Sequence, residues 1–177
     1  GSEMCIRDSS RCDIKDSGYG IDSYTEGHIP NSIFVDVDTD LASEKRSGTG
    51  RHPLPDPNTF SEKLSHWGMS NNKQVVVYDD AGGAFAGRLW WMLKWLGHEA
   101  VAVLDGGLNS WVKGGNKLVT TPTVFEKAHF EPCVQENMIA TVEDVEEAQF
   151  KMNTILLDAR SKERYQGIND PVDPIAG

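Results

Sequence analysis

The chain has little that would assign its class at a glance. It has three cysteines, Cys5, Cys12 and Cys133, far apart and none beside a glycine loop. That argues against a disulfide scaffold and for a reducing, cytoplasmic setting. Cys133 stands between Pro132 and Val134 with no cation or helix start to lower its pKa, so nothing marks it as a nucleophile. No apolar run approaches a membrane span; the longest candidates are broken by Lys94 or by glycine. Positive charge is scarce, with 17 Lys and Arg against 27 Asp and Glu and a net charge of −10, which argues against a nucleic-acid or anionic-membrane surface. His66, His98 and His129 lack metal-ligand spacing, and no internal repeat is visible.

What is present points to a globular α/β chain. Hydrophobic residues make up 38% of the 177, enough for a core. Val75–Gly97 is the most informative stretch. Val75–Tyr78 reads as a buried parallel strand, Gly82 and Gly83 as a tight turn, and Ala84–Leu96 as a helix with Phe85, Leu89, Met92, Leu93 and Leu96 on one face. A strand running through a glycine loop into a helix start points several N–H groups at one spot, an anion cradle. Asp79 and Asp80 stand at the strand end, where a nucleophile would be expected. They read as loop formers and helix-start acids ahead of an acid/base pair.

The remaining elements follow the same rules. Ile33–Val37 and Ala100–Leu104 read as strands, and Asn58–Trp67 as a helix started by Asp56-Pro57 and stopped by Gly68. Leu108–Lys113 reads as a short helix. Arg11–Glu26 and Asp38–Pro57 read as loops, and Lys117–Asn137, with Pro122 and Pro132, as an interdomain linker. Thr141 with Asp144 is close to a capping box, and Thr154–Asp158 reads as a further strand. Trp90, Trp91 and Trp95, at helical spacing, read as core. Met4-Cys5-Ile6-Arg7-Asp8-Ser9 reads as the translation of a transposon-end adapter used in sequencing libraries, so residues 1–10 are expected to be a non-native tail.

Five segments carry a resemblance: GHIPNSIFVDVD (27–38), RHPLPDP (51–57), VVVYDDAGG with RLWWMLKWLGH (75–98), VLDGGLNSW (103–111) and LLDARSKERYQG (156–167). In this order they resemble the two-domain rhodanese-like sulfurtransferases, which act on thiosulfate or 3-mercaptopyruvate. The resemblance implies a parallel sheet with helices on both faces. It implies an inactive N-terminal domain over 11–116 that lacks its first strand, a linker over 117–138, and the start of a truncated catalytic domain over 139–177.

In that family a Cys of the second domain takes a sulfane sulfur as a persulfide and passes it to cyanide or another thiophile, with no metal or organic cofactor. Asp79 matches the position of that Cys in the inactive domain, so the nucleophile is expected beyond this chain's end. Arg164 is implied to bind the anionic sulfur donor and His52 to reach toward the cleft. Arg160 is expected to tie Asp158 or Glu163, and His28 to be a structural turn residue. A second Arg usual in mercaptopyruvate-type members has no counterpart in Asn169–Asp173, which leans the donor toward thiosulfate. The alternative is a non-catalytic rhodanese-like binding module. The oligomeric state is not legible.

Overall fold

A computed structural model describes residues 4–9 by their backbone and residues 18–168 in full. Four parallel strands form one sheet: β1 (Met4–Ser9), β2 (Ser32–Val35), β3 (Gln74–Tyr78) and β4 (Val101–Val103), in the order β2-β1-β3-β4. Helices α1 (Tyr19–Glu26), α2 (Pro57–His66) and α3 (Ala86–Trp95) make the crossovers, and α4 (Gly107–Lys113) follows β4. The chain steps one way from β1 to β2 and the other way thereafter. Right-handed crossovers then put α1 on one face and α2 and α3 on the other.

Met4–Ser9 corrects one expectation: the first-strand place of the sheet is filled, and the domain does not lack that strand. Ile6–Ser9 pair with Ser32–Val35, and Met4–Asp8 pair with Gln74–Tyr78. β2 and β3 share no ladder, so only a strand between them closes their hydrogen bonds. Within the stretch read as a loop over 11–26, Tyr19–Glu26 is helical, buries Ser23 and Tyr24, and stacks Tyr24 on His28; Arg11–Ser17 and Cys12 lie outside the described residues.

The other elements form where the sequence placed them. Val75 and Val77 of β3, Leu89, Met92 and Leu93 of α3, and Phe60 and Leu64 of α2 are buried, while Tyr78, also fully buried, packs with Ile29 and Leu108. Asp56 caps α2 by accepting from Asn58 N at 3.0 Å and Thr59 N at 2.9 Å. Of the three tryptophans, Trp95 is core, Trp91 stacks on it, and Trp90 faces outward.

Residues 117–135 are not a free linker. They form a strap bound to the first compact unit, which runs to Glu136. Val119 pairs with His28, Ala128 N donates to Ser65 O, Cys133 N to Leu96 O and Gln135 N to Trp95 O, and Phe130 is buried. Gly68 and Gly97, the stops of α2 and α3, make room for it. A Cβ at Gly68 would lie 2.5 Å from Phe125 Cβ, and one at Gly97 2.6 Å from Cys133 O.

His98 is buried beside Phe130, and its Nε2 has no hydrogen-bond partner among the described residues. Desolvation lowers its pKa from the ordinary 6.5, opposed by backbone groups of Ala100 and Lys73. The unfolded chain therefore binds the proton first. This contribution to stability is complete above about pH 6.5 and is lost as pH falls toward the folded value. The melting temperature should drop by a few degrees more between pH 7.5 and pH 5.5 in the wild type than in His98→Leu. Equal drops in the two proteins would exclude His98 as the cause.

The second unit starts at Asn137. It contains α5 (Val142–Ala148) and α6 (Lys162–Tyr165). Both halves of the capping box are made: Asp144 N donates to Thr141 Oγ1 at 3.2 Å and Thr141 N to Asp144 Oδ2 at 2.8 Å. The strand expected over 154–158 does not form. Ile155 and Leu157 are more than four-fifths exposed, because no neighbouring strand pairs with them among the described residues.

Candidate functional site

The loop from β3 to α3 lies at the C-terminal edge of the sheet, where the strand order reverses between β1 and β3. Open α/β sheets place their ligand sites at such a point. Asp79, the first residue after β3, is 1% exposed. Its Oδ1 accepts from Ala81 N at 3.0 Å and Gly83 N at 2.8 Å, and its Oδ2 accepts from Phe85 N and Ala86 N, each at 2.9 Å. Gly82 and Gly83, at φ 72° and 92°, curl the backbone so that these donors converge.

The cradle is therefore formed and already filled. Its anion is the chain's own carboxylate, held by charge-assisted hydrogen bonds on both oxygens. A diffusing anion would meet an occupied site and a like charge. With both oxygens engaged, Asp79 is not free to shuttle protons with Asp80, whose side chain instead accepts from Tyr19 Oη at 3.4 Å. The carbonyl of Asp79 is fixed as well, accepting from Leu108 N at 2.9 Å where α4 begins.

His52 lies on the loop between β2 and α2. Its Nε2 is 2.7 Å from Asp38 Oδ1, and its side chain is one-third exposed. The pair borders a surface concavity of about 520 Å³ that also includes Lys45 and Arg51. Arg88, in the first turn of α3, connects this loop to the cradle. Its guanidinium donates to Leu41 O at 2.7 Å and His52 O at 3.0 Å. Burial lowers the Arg88 pKa below its ordinary value. The Asp79 cradle thus fixes the start of α3, and α3 fixes the His52 loop through Arg88.

Sequence reasoning missed Arg88 and Asp38. An Arg one turn after a glycine loop and an Asp in Val35-Asp36-Val37-Asp38 were the available signals. His28 is structural as expected: it is fully buried, with Nδ1 2.8 Å from Tyr24 O and Nε2 3.1 Å from Thr121 O.

Arg164 belongs to the second unit, on α6, and is partly exposed. Arg160 grips Asp158, with Nε and Nη2 reaching Oδ2 at 2.9 and 2.7 Å, so the tie is to Asp158 and not Glu163. That grip, with a smaller contribution from Arg164, lowers the Asp158 pKa below 3.8. His52 and Asp79 share the first unit and Arg164 lies in the second. Residues 169–173, where a second Arg was sought, lie outside the described residues. Among the described residues no group of acidic, His and Cys side chains is placed to hold a metal, and no helix is long and apolar enough to cross a membrane.

The rhodanese-like domain matches residues 10–114. A probable 3-mercaptopyruvate sulfurtransferase of Pseudomonas aeruginosa is 40% identical over 166 residues, covering 93% of this chain and 58% of that protein. The thiosulfate sulfurtransferase of Rattus norvegicus is 33% identical over 156 residues, covering 86% of this chain and 51% of its own length. The chain thus spans little more than half the length of these relatives. Among solved structures, the 3-mercaptopyruvate sulfurtransferase of Leishmania major superposes with a TM-score of 0.77 at 30% identity, over 93% of this chain and 45% of the other. The crystal structure of SseA from Escherichia coli, described with the rhodanese fold of 3-mercaptopyruvate sulfotransferases, gives 0.83 at 27% identity over 96% and 64%.

Proposed function

Because the chain belongs to the rhodanese-like domain family, we propose that it is part of a cytoplasmic two-domain sulfurtransferase and carries that enzyme's inactive half. The first unit, to Glu136, is the inactive domain, and residues from Asn137 onward open the catalytic one. One observation carries this reading. Asp79 fills the anion cradle that a catalytic sulfur would need, through four backbone hydrogen bonds. The likeness to thiosulfate and 3-mercaptopyruvate sulfurtransferases supports the reaction class.

In the full protein a Cys thiolate outside this chain attacks the outer sulfur of the donor. The donor's bond to that sulfur breaks, sulfite or pyruvate leaves, and a persulfide forms. Cyanide or a thiol then removes the outer sulfur and regenerates the thiolate. An unfilled cradle, built like the one around Asp79, holds the persulfide anion by backbone N–H groups. Arg164, in the second unit, offers a planar fork to the anionic donor, and in the first unit Asp38 orients His52. A donor with a single cationic clamp favours thiosulfate.

The chain as it stands, given thiosulfate or 3-mercaptopyruvate with cyanide, should form thiocyanate no faster than a protein-free control. Turnover above that control would overturn the assignment of an inactive half. The source reading frame separates the two family readings. A Cys-bearing glycine loop downstream supports the enzyme, and a second Asp or a stop codon supports a non-catalytic binding module.

A further inference from the structure

Asp38 and His52 meet from opposite ends of one loop, and a different helix holds each end. At the Asp38 end, Lys63 of α2 donates to Thr39 O at 2.6 Å and to Asp40 Oδ1 at 3.1 Å. Thr39 N donates to Asp36 Oδ1 at 2.8 Å, which closes the turn around Asp38. At the His52 end, Arg88 of α3 donates from Nη2 to His52 O at 3.0 Å. The same guanidinium reaches back to Leu41 O, at 2.7 Å from Nη2 and 3.1 Å from Nε.

Arginine suits this place. Its planar fork bonds two carbonyls at once, where a lysine offers a point charge on a flexible stem. A charged donor also makes the stronger hydrogen bond. The segment between Leu41 and His52 forms no helix or strand and contains Gly48 and Gly50. Its neck is closed by Ser43 N donating to Pro53 O at 2.9 Å. Holding such a loop shut costs entropy, so an outside clamp matters. Arg88 supplies it from a rigid base. Two residues earlier Ala86 N, beside Phe85 N, is bound to Asp79 Oδ2.

We infer that Arg88 is a positioning residue: it carries the fixed start of α3 to the backbone of His52 and so keeps the imidazole on Asp38. The inference rests on the reading above that His52 serves the sulfur-transfer reaction. It gives the filled cradle a task in a domain that runs no chemistry of its own. Asp79 sets α3, Arg88 sets the loop end, and the α2 clamp leaves Asp38 waiting for its partner.

The test is NMR on the whole chain. In Arg88→Lys the Ser43 amide should exchange with solvent about tenfold faster or more, as expected for loss of a charge-assisted clamp. The imidazole 15N signals of His52 should move to those seen in Asp38→Ala. The Leu104 amide, bonded to Val77 O in the sheet, should keep its protection. Asp79→Ala should also speed Ser43 exchange, and adding Arg88→Lys to it should speed it little further, because both act through one relay. A Ser43 amide unprotected in the wild type, unmoved His52 signals in Arg88→Lys, equal loss of protection at Leu104, or additive effects of the two substitutions would each overturn the proposal. No sulfur transfer is read, so turnover by this chain would sink the inactive-half reading and leave these results standing.

Discussion

Asp79→Ala should lower the melting temperature of the first unit by about 10 °C or more. The substitution removes one carboxylate and strands four N–H groups, those of Ala81, Gly83, Phe85 and Ala86, around a site that is 1% exposed. A buried donor left without a partner costs roughly 1–3 kcal/mol. Water entering the vacated space recovers part of that, leaving about 3–5 kcal/mol. At roughly 3 °C per kcal/mol for a unit of this size, the drop is readily measured.

The same variant should respond to small anions. Formate or sulfate at tens of millimolar should raise the melting temperature of Asp79→Ala more than that of the wild type, because the cradle is then vacant. Asp79→Asn should be nearly as damaging as Ala, since its amide NH2 faces N–H donors. Should Asp79→Ala melt within a degree or two of the wild type, the carboxylate is not the organiser of this loop.

Gly107→Ala should be of similar size, for a steric reason. Gly107 sits at φ 54°, and a Cβ there would lie 2.1 Å from the carbonyl oxygen of Asp79. The obstacle is backbone and cannot swing aside. The left-handed conformation alone costs an alanine about 1 kcal/mol. Relief of the clash pushes α4 from β3 and breaks the bond from Leu108 N to Asp79 O, for a total of about 3 kcal/mol or more. Gly83→Ala is the control: its φ is 92° and its Cβ would meet only Val103 at 4.0 Å, so it should show the conformational cost without the clash. Denaturant unfolding of the two variants, read as midpoint shifts, measures the difference. Equal midpoints would show that the Gly107 contact relaxes at no cost.

The sheet and its order of elements were legible where pattern and punctuation agreed. Val75–Tyr78, the double glycine and the apolar stripe of α3 each point the same way, and Asp56-Pro57 marks the start of α2 within a residue. The cradle was legible because a strand–glycine–helix passage converges N–H groups whatever side chains surround it. What occupies it was half legible. Asp79 could be named, but the reach of its two oxygens to residues two to seven positions ahead depends on a loop shape that no propensity encodes.

The failures share one cause, contacts made at long range. Lys117–Asn137 has no period and two prolines, yet it is pinned by His28, Ser65 and Leu96, far away in sequence. Met4–Ser9 occupies an inner strand because β2 and β3 need a partner, a demand set by the sheet and not by the segment. Thr154–Asp158 fails in the reverse sense, with strand-forming residues and no neighbour to complete a ladder. Arg88 was passed over because its ligands are carbonyls of Leu41 and His52, and backbone oxygens carry no sequence signature.

The central claim is that the chain holds a finished anion cradle closed by Asp79 and no sulfur nucleophile to use it. The intact mass of the 177-residue protein after incubation with thiosulfate, read without reductant, tests this most directly. The account predicts an unchanged mass. A stable gain of one sulfur atom on Cys5, Cys12 or Cys133, discharged by cyanide with release of thiocyanate, would contradict it.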